Sequence, residues 1–213
     1  MEQLASKLAI KIAEKIELDQ EKKSVVAYGL VGILQITTLF ILITVLGIIT
    51  GTFYESFIIF FSVGFMRKST GGAHSKSMWG CNAVSVLSIL FLALLSRYVF
   101  VMSITKEVNI AITIAVFAAG LFVFFAKVPV DSPNKPIKSK DKIKRLRKES
   151  YMKLLLLFAV TLLSIHYAES SSRLYSVSVS LRVALLWQMF TLIDLGASFL
   201  QKADMTISRF LKL

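Results

Sequence analysis

The sequence predicts an all-α, polytopic membrane protein of about six transmembrane helices, preceded by an amphipathic helix on the membrane surface. Three observations carry that prediction. Hydrophobic residues make up 55% of the 213, and the mean hydropathy of +0.70 lies far above what a soluble domain shows. Those residues gather into runs of the length that a hydrocarbon core requires, about 20 residues. The net charge of +12 sits in the loops between the runs, with no aromatic–basic surface for reading nucleic acid, so positive-inside topology explains it better than a nucleic-acid partner.

Residues 1–23 alternate Lys7, Lys11 and Lys15 with Leu4, Leu8, Ile12 and Ile16, basic and apolar positions staggered on neighbouring helical faces, as expected of a helix lying on a membrane. The first span runs from Val25 to Ile49. It is too long for the apolar core of a cleavable signal and lacks a small-residue cleavage site, so it should stay in the mature chain. A shorter second span covers Phe57 to Met66 and either crosses a thinned bilayer or re-enters. Four more follow: Met78 to Ile104, Val108 to Val130, Met152 to Tyr167 and Tyr175 to Leu200. Between the fourth and fifth, residues 131–150 hold the densest basic run, Lys135 to Lys148, and read as a cytoplasmic loop. Counting back from it places the 67–77 connection and both termini on the cytoplasmic side, and the connections near Gly51, Lys106 and Glu169 outside.

The single cysteine, Cys81, excludes an internal disulfide, and His74 precedes it by seven residues. A thiol attacks only as thiolate, so a cysteine with an imidazole nearby is the least equipment a cysteine peptidase needs. On one continuous helix the two would stand about 10.5 Å apart along the axis, too far to share a proton. The functional reading therefore requires Gly71-Gly72 and Gly80 to fold the segment back, with Cys81 in the first turn of the third span, where the helix dipole favours a thiolate. On spacing alone, a buried thiol beside an interfacial imidazole explains the pair equally well.

Arg67-x-x-x-Gly71-Gly72-x-His74 with Cys81 after it, together with Tyr28-Gly29 at the start of the first span and the Val128-Pro129-Val130-Asp131-Ser132-Pro133-Asn134-Lys135-Pro136-Ile137 stretch, resembles the accessory gene regulator protein B (AgrB) family of bacterial membrane peptidases over nearly the whole chain. The resemblance implies a membrane cysteine endopeptidase that cuts the C-terminal part from an AgrD-type propeptide, holds the rest as an acyl-thioester and enables its cyclisation to a thiolactone or lactone autoinducing peptide for quorum sensing. It implies Cys81 as nucleophile and His74 as general base, with Arg67, Gly71 and Gly72 supporting them, and allows a homodimer. Ala73 stands where an aromatic or another small residue is common in the family.

Other polar residues in the apolar runs have two readings each. Asp194, in the sixth span near its cytoplasmic end, either orients His74 or pairs with a cation from another span. Arg97 with Glu55 reads as a structural or snorkelling pair on the outer side. His166, at the outer end of the fifth span, is interfacial; with His74 and Cys81 on the other side no zinc site forms, and no cofactor is expected. Lys142, Lys144, Arg145 and Arg147 rest on anionic membrane lipids and also suit the acidic tail that family substrates carry. The rival to an enzyme is a small permease or peptide-export partner using Arg97, Arg182 and Asp194 as a polar pathway.

Overall fold

A computed structural model of the chain describes residues 10, 20–72, 78–99, 105–131, 137, 139–168 and 172–210, and among them the regular structure is all helical. The expected surface helix at residues 1–23 falls almost entirely outside them. The chain divides into two compact units, residues 1–42 and 43–213. The first holds the larger part of helix α1 (Gln20–Ile49), which is apolar and strongly exposed at Ile33, Ile36 and Ile41, as a lipid-facing helix requires.

In the second unit α1 ends in a reverse turn. Thr52 donates its N–H to Gly47 O at 2.8 Å, Thr50 and Thr52 share a hydroxyl contact of 2.7 Å, and Gly51 takes φ +70°. Helix α2 (Phe53–Thr70) follows with a buried stripe of Ser56, Ile59, Ser62, Val63, Met66 and Ser69 at helical spacing. The serines keep that stripe thin, so α2 lies close against helix α6 (Ser172–Leu192), its most extensive partner. Helix α3 (Met78–Leu94) runs into a π-helical turn, Leu95–Val99. Helix α4 (Lys106–Lys127) leads to an extended segment, 128–131, that opens with a cis Val128–Pro129 bond. Helix α5 spans Lys140–His166. Helix α6 is buried almost continuously from Ser178 to Leu185 and packs against α2, α3, α4 and α5, which makes it the axis of the unit. Its one buried cation, Arg182, bonds Asn109 of α4 through Oδ1 at 2.9 Å and through the backbone carbonyl at 3.4 Å.

Two expectations need correcting. Lys140–Ser150 is not loop: it forms the first three turns of α5, because Ser139 caps the helix by accepting the Lys142 N–H, Asp141 sits at the positive end of the dipole, and Arg145 pairs with Glu149 one turn on at 3.5 Å. The sixth span is not straight either. The chain bends by 88° after Leu192, and helix α7 (Asp194–Phe210) departs from the axis of α6. Gly196 fits the inside of that bend, since a Cβ there would overlap the carbonyl oxygen of Phe190 at 1.7 Å.

Val25–Ile49, Gly80–Val99, Lys106–Lys127 and Lys140–His166 are long and apolar enough to cross a membrane, and Arg173–Leu192 with Asp194–Ile207 adds a fifth crossing if that bent pair is one span. Helix α2 carries Glu55, Arg67 and Lys68 within its 18 residues and does not match their apolar length.

Candidate active site at the start of α3

Cys81 lies in the first turn of α3, partly exposed, as the sequence predicts. Cys81, Val84 and Ser85 form one face of the helix and line a cavity of about 30 Å³ with Arg67, Trp187, Thr191 and Leu200, room for about one water. The walls come from the last turn of α2, one face of α6 and the middle of α7. A thiolate on Cys81 and the Arg67 guanidinium attract each other across this small space.

The Gly71-Gly72 turn is fixed on two sides. Gly71 and Gly72 take φ of +72° and +136°, conformations open to glycine and strained for other residues. On one side Val130 donates its N–H to Thr70 O at 2.8 Å, and a Cβ on Gly71 would lie 2.2 Å from Val130 O. On the other, the Gln188 amide of α6 donates from Nε2 to Thr70 Oγ1 at 2.8 Å and to Gly71 O at 2.9 Å. Thr191, the penultimate residue before the bend, would meet a Cβ on Gly72 at 3.0 Å through Oγ1 and also lines the Cys81 cavity. Gln188 is 0% exposed, and its Oε1 is buried with no hydrogen-bond partner. The extended segment is itself tied to α5, where Arg147 Nε donates to Val128 O at 3.1 Å.

His74 lies within residues 73–77, outside the described residues. The structure brings Arg67 to Cys81 at the cavity and sets Gly72 against Thr191 of its wall, with Gly71 beside Gly72 in the turn. It does not bring Asp194 to them: that carboxylate is 97% exposed at the bend and pairs with Lys127 at 3.1 Å, because the helix turns away where a straight span would have carried it inward. The buried acid of α7 is Asp204, one turn beyond Leu200. Lys142, Lys144 and Arg145 lie on the first turns of α5, Lys144 and Arg145 fully on the surface, whereas Arg147 is engaged by Val128. Glu55 and Arg97 pair at 3.2 Å, as expected. Arg97, Arg182 and Asp194 are each bonded to a separate partner, Glu55, Asn109 and Lys127.

Gln188, Thr191 and Trp187 were not singled out from sequence, and Val130 figured there only within the Val128–Ile137 stretch and as the end of the fourth span. Gln188 offered a signal, a lone amide in the apolar stretch Leu181–Leu192, which a membrane helix retains only with a partner.

The family model for accessory gene regulator B matches residues 5–192. Two relatives from Clostridium perfringens, of strains SM101 and 13 (both type A), bear AgrB-like names; each is 29% identical over 213 residues, which cover 99% of this chain and 100% of the relative. No solved structure matches. With the Gly-Gly turn and Cys81 held where this fold holds them and a family match over most of its length, the chain belongs to the accessory gene regulator B (AgrB) family.

Proposed function

We propose that this protein is a membrane cysteine endopeptidase that cleaves the C-terminal part of an AgrD-type propeptide through an acyl-thioester on Cys81 and enables cyclisation of the remainder. Family membership ties the chain to the accessory gene regulator system and links it with a propeptide of that type. The observation that carries the finer reading is the Cys81 cavity: a lone thiol at a helix start, a guanidinium beside it, and a clamped Gly-Gly turn sharing Thr191 with it. His74 follows Gly72 by two residues, at most about 7 Å of extended chain.

In the proposed sequence His74 takes the Cys81 proton, and the thiolate attacks the scissile carbonyl. Charge developing on the carbonyl oxygen faces the positive end of the α3 dipole. The C–N bond breaks as His74 returns the proton to the leaving amine, and the N-terminal part stays on Cys81 as thioester. A thiol or hydroxyl of the propeptide then attacks that thioester, His74 takes its proton, and Cys81 leaves as thiolate, which closes a thiolactone or lactone ring. Thiol exchange is near balance in energy, so the ring forms only if water is kept out. Val84, Trp187 and Leu200 supply apolar walls for that purpose.

The proposal includes six crossings, counting α2, with the Cys81 end of the bundle, both termini and the start of α5 cytoplasmic. Cleavage of a cognate propeptide in nanodiscs tests it: Cys81→Ala should abolish cleavage in a protein that still folds, and cleavage at the wild-type rate would remove the peptidase reading.

A further inference from the structure

At the opposite end of α2, about 27 Å from the Cys81 end by helical rise over its 18 residues, a second and larger cleft opens. Its volume is about 730 Å³, and it lies between the α1–α2 turn, the π-helical end of α3 and the first turns of α6. Tyr54, Glu55, Arg97, Tyr98, Arg173 and Ser176 give it its polar character.

The charges divide into a committed pair and an available cation. Glu55 is 2% exposed, and its Oε1 accepts from Arg97 and from Ser176. Its Oε2 is buried without a partner, so Arg97 is the cation that offsets a carboxylate with little other support. Arg173 differs. It is exposed, its guanidinium stands over the Tyr54 ring at 5.3 Å, and it makes no ion pair among the described residues. Once Glu55 and Arg97 cancel, the cleft carries one positive charge presented on a planar donor fork, the geometry that suits phosphate. Around it Ile48, Ile49, Tyr98 and Val99 expose apolar surface. An anion on Arg173 with hydrocarbon along that rim describes an amphiphile better than a free ion.

We propose that this cleft is a binding site for a phospholipid with an anionic head group, its phosphate on Arg173 and its acyl chains along the apolar rim. A head group carrying its own ammonium would bring a cation up to Arg173 and Arg97 with no uncommitted carboxylate among the described lining residues to receive it, so phosphatidylglycerol fits and phosphatidylcholine does not. The site is independent of Cys81 and of the cleavage chemistry.

Native mass spectrometry of the full chain, with phosphatidylglycerol and phosphatidylcholine titrated in detergent, reads the preference directly. The wild type should retain phosphatidylglycerol, and Arg173→Gln should weaken that retention by about tenfold or more, the value of a charge-assisted hydrogen bond. Lys202→Gln, on the exposed surface of α7, should leave it unchanged. Photoactivatable phosphatidylglycerol should label residues 47–58 or 173–177 of the unaltered protein, a measurement that does not depend on any variant folding. Equal retention of both lipids, equal retention by Arg173→Gln, or labelling confined to residues 140–148 would each overturn the proposal. So would Arg173-dependent protection by glycerol phosphate equal to that by the lipid, since the site would then be one for soluble anions.

Discussion

Gly71→Ala and Gly72→Ala should both slow acylation of Cys81, but unequally, and for reasons that one further substitution separates. At Gly71 the new Cβ meets the backbone oxygen of Val130 at 2.2 Å, an obstacle that cannot rotate away. At Gly72 it meets the Thr191 hydroxyl at 3.0 Å, the end of a side chain. Both positions also take on left-handed strain, of order 1–3 kcal/mol. Gly71→Ala must in addition push Val130 off Thr70, forfeiting a hydrogen bond worth about 1 kcal/mol. The sum for Gly71→Ala is about 2–4 kcal/mol, and if half of it appears as misplacement of the turn the acylation rate falls about five- to thirtyfold. Gly72→Ala should lose less, and Thr191→Ala on that background should restore part of the loss, whereas Thr191→Ala should do nothing for Gly71→Ala. Single-turnover formation of the acyl adduct, with thermal unfolding measured alongside, reads both quantities. Acylation by Gly71→Ala at the wild-type rate, or rescue of Gly71→Ala by Thr191→Ala, would refute the geometry on which the site rests.

Other substitutions test its neighbours. Gln188→Leu keeps the volume but leaves Gly71 O without its amide donor, so stability should drop by about 1–3 kcal/mol and kcat should fall with KM little changed; a stability loss with normal kcat would make the clamp purely structural. Neutralising Lys142, Lys144 and Arg145 together should raise KM, and the effect should shrink in 1 M salt, where the Debye length is about 3 Å; an undiminished effect at high salt would exclude long-range attraction. Arg147→Gln should instead lower kcat, since it releases Val128 and through it the Gly71 turn; an effect on KM alone would place Arg147 with its neighbours. Asp194→Asn should be almost silent in cleavage and stability, because an exposed pair with Lys127 contributes at most about 1 kcal/mol; a large kcat loss would bring Asp194 back to the site.

The class of fold was legible because a membrane span announces itself by length and hydropathy: the predicted first span coincides with the apolar stretch Val25–Ile49, and the predicted ends of the fourth differ from its helix by three residues or fewer. The start of α5 was not, because a run of lysines and arginines reads as topology while the signals that make it helical, Ser139, Asp141 and the Arg145–Glu149 pair, are single residues within it. The bend after Leu192 was hidden for the opposite reason: Leu192, Ile193 and Leu195 continue the apolar run, and only Gly196 marks the close approach to Phe190. Missing that bend is what made Asp194 look like an intramembrane carboxylate. Cys81, Arg67 and the two glycines were legible as a local motif. Gln188 and Val130 act on that motif from 117 residues and some 60 residues further along the chain, distances at which a single sequence carries no record of contact.

Intact-mass analysis of the protein after brief exposure to its cognate propeptide tests the Cys81 chemistry most directly. The wild type should gain the mass of the propeptide's N-terminal part less one water, the added mass should map to Cys81 and vanish with hydroxylamine, and His74→Ala should show it only at a strongly reduced rate. Propeptide cleavage that persists in Cys81→Ala, or an adduct that maps to any other residue, would contradict it.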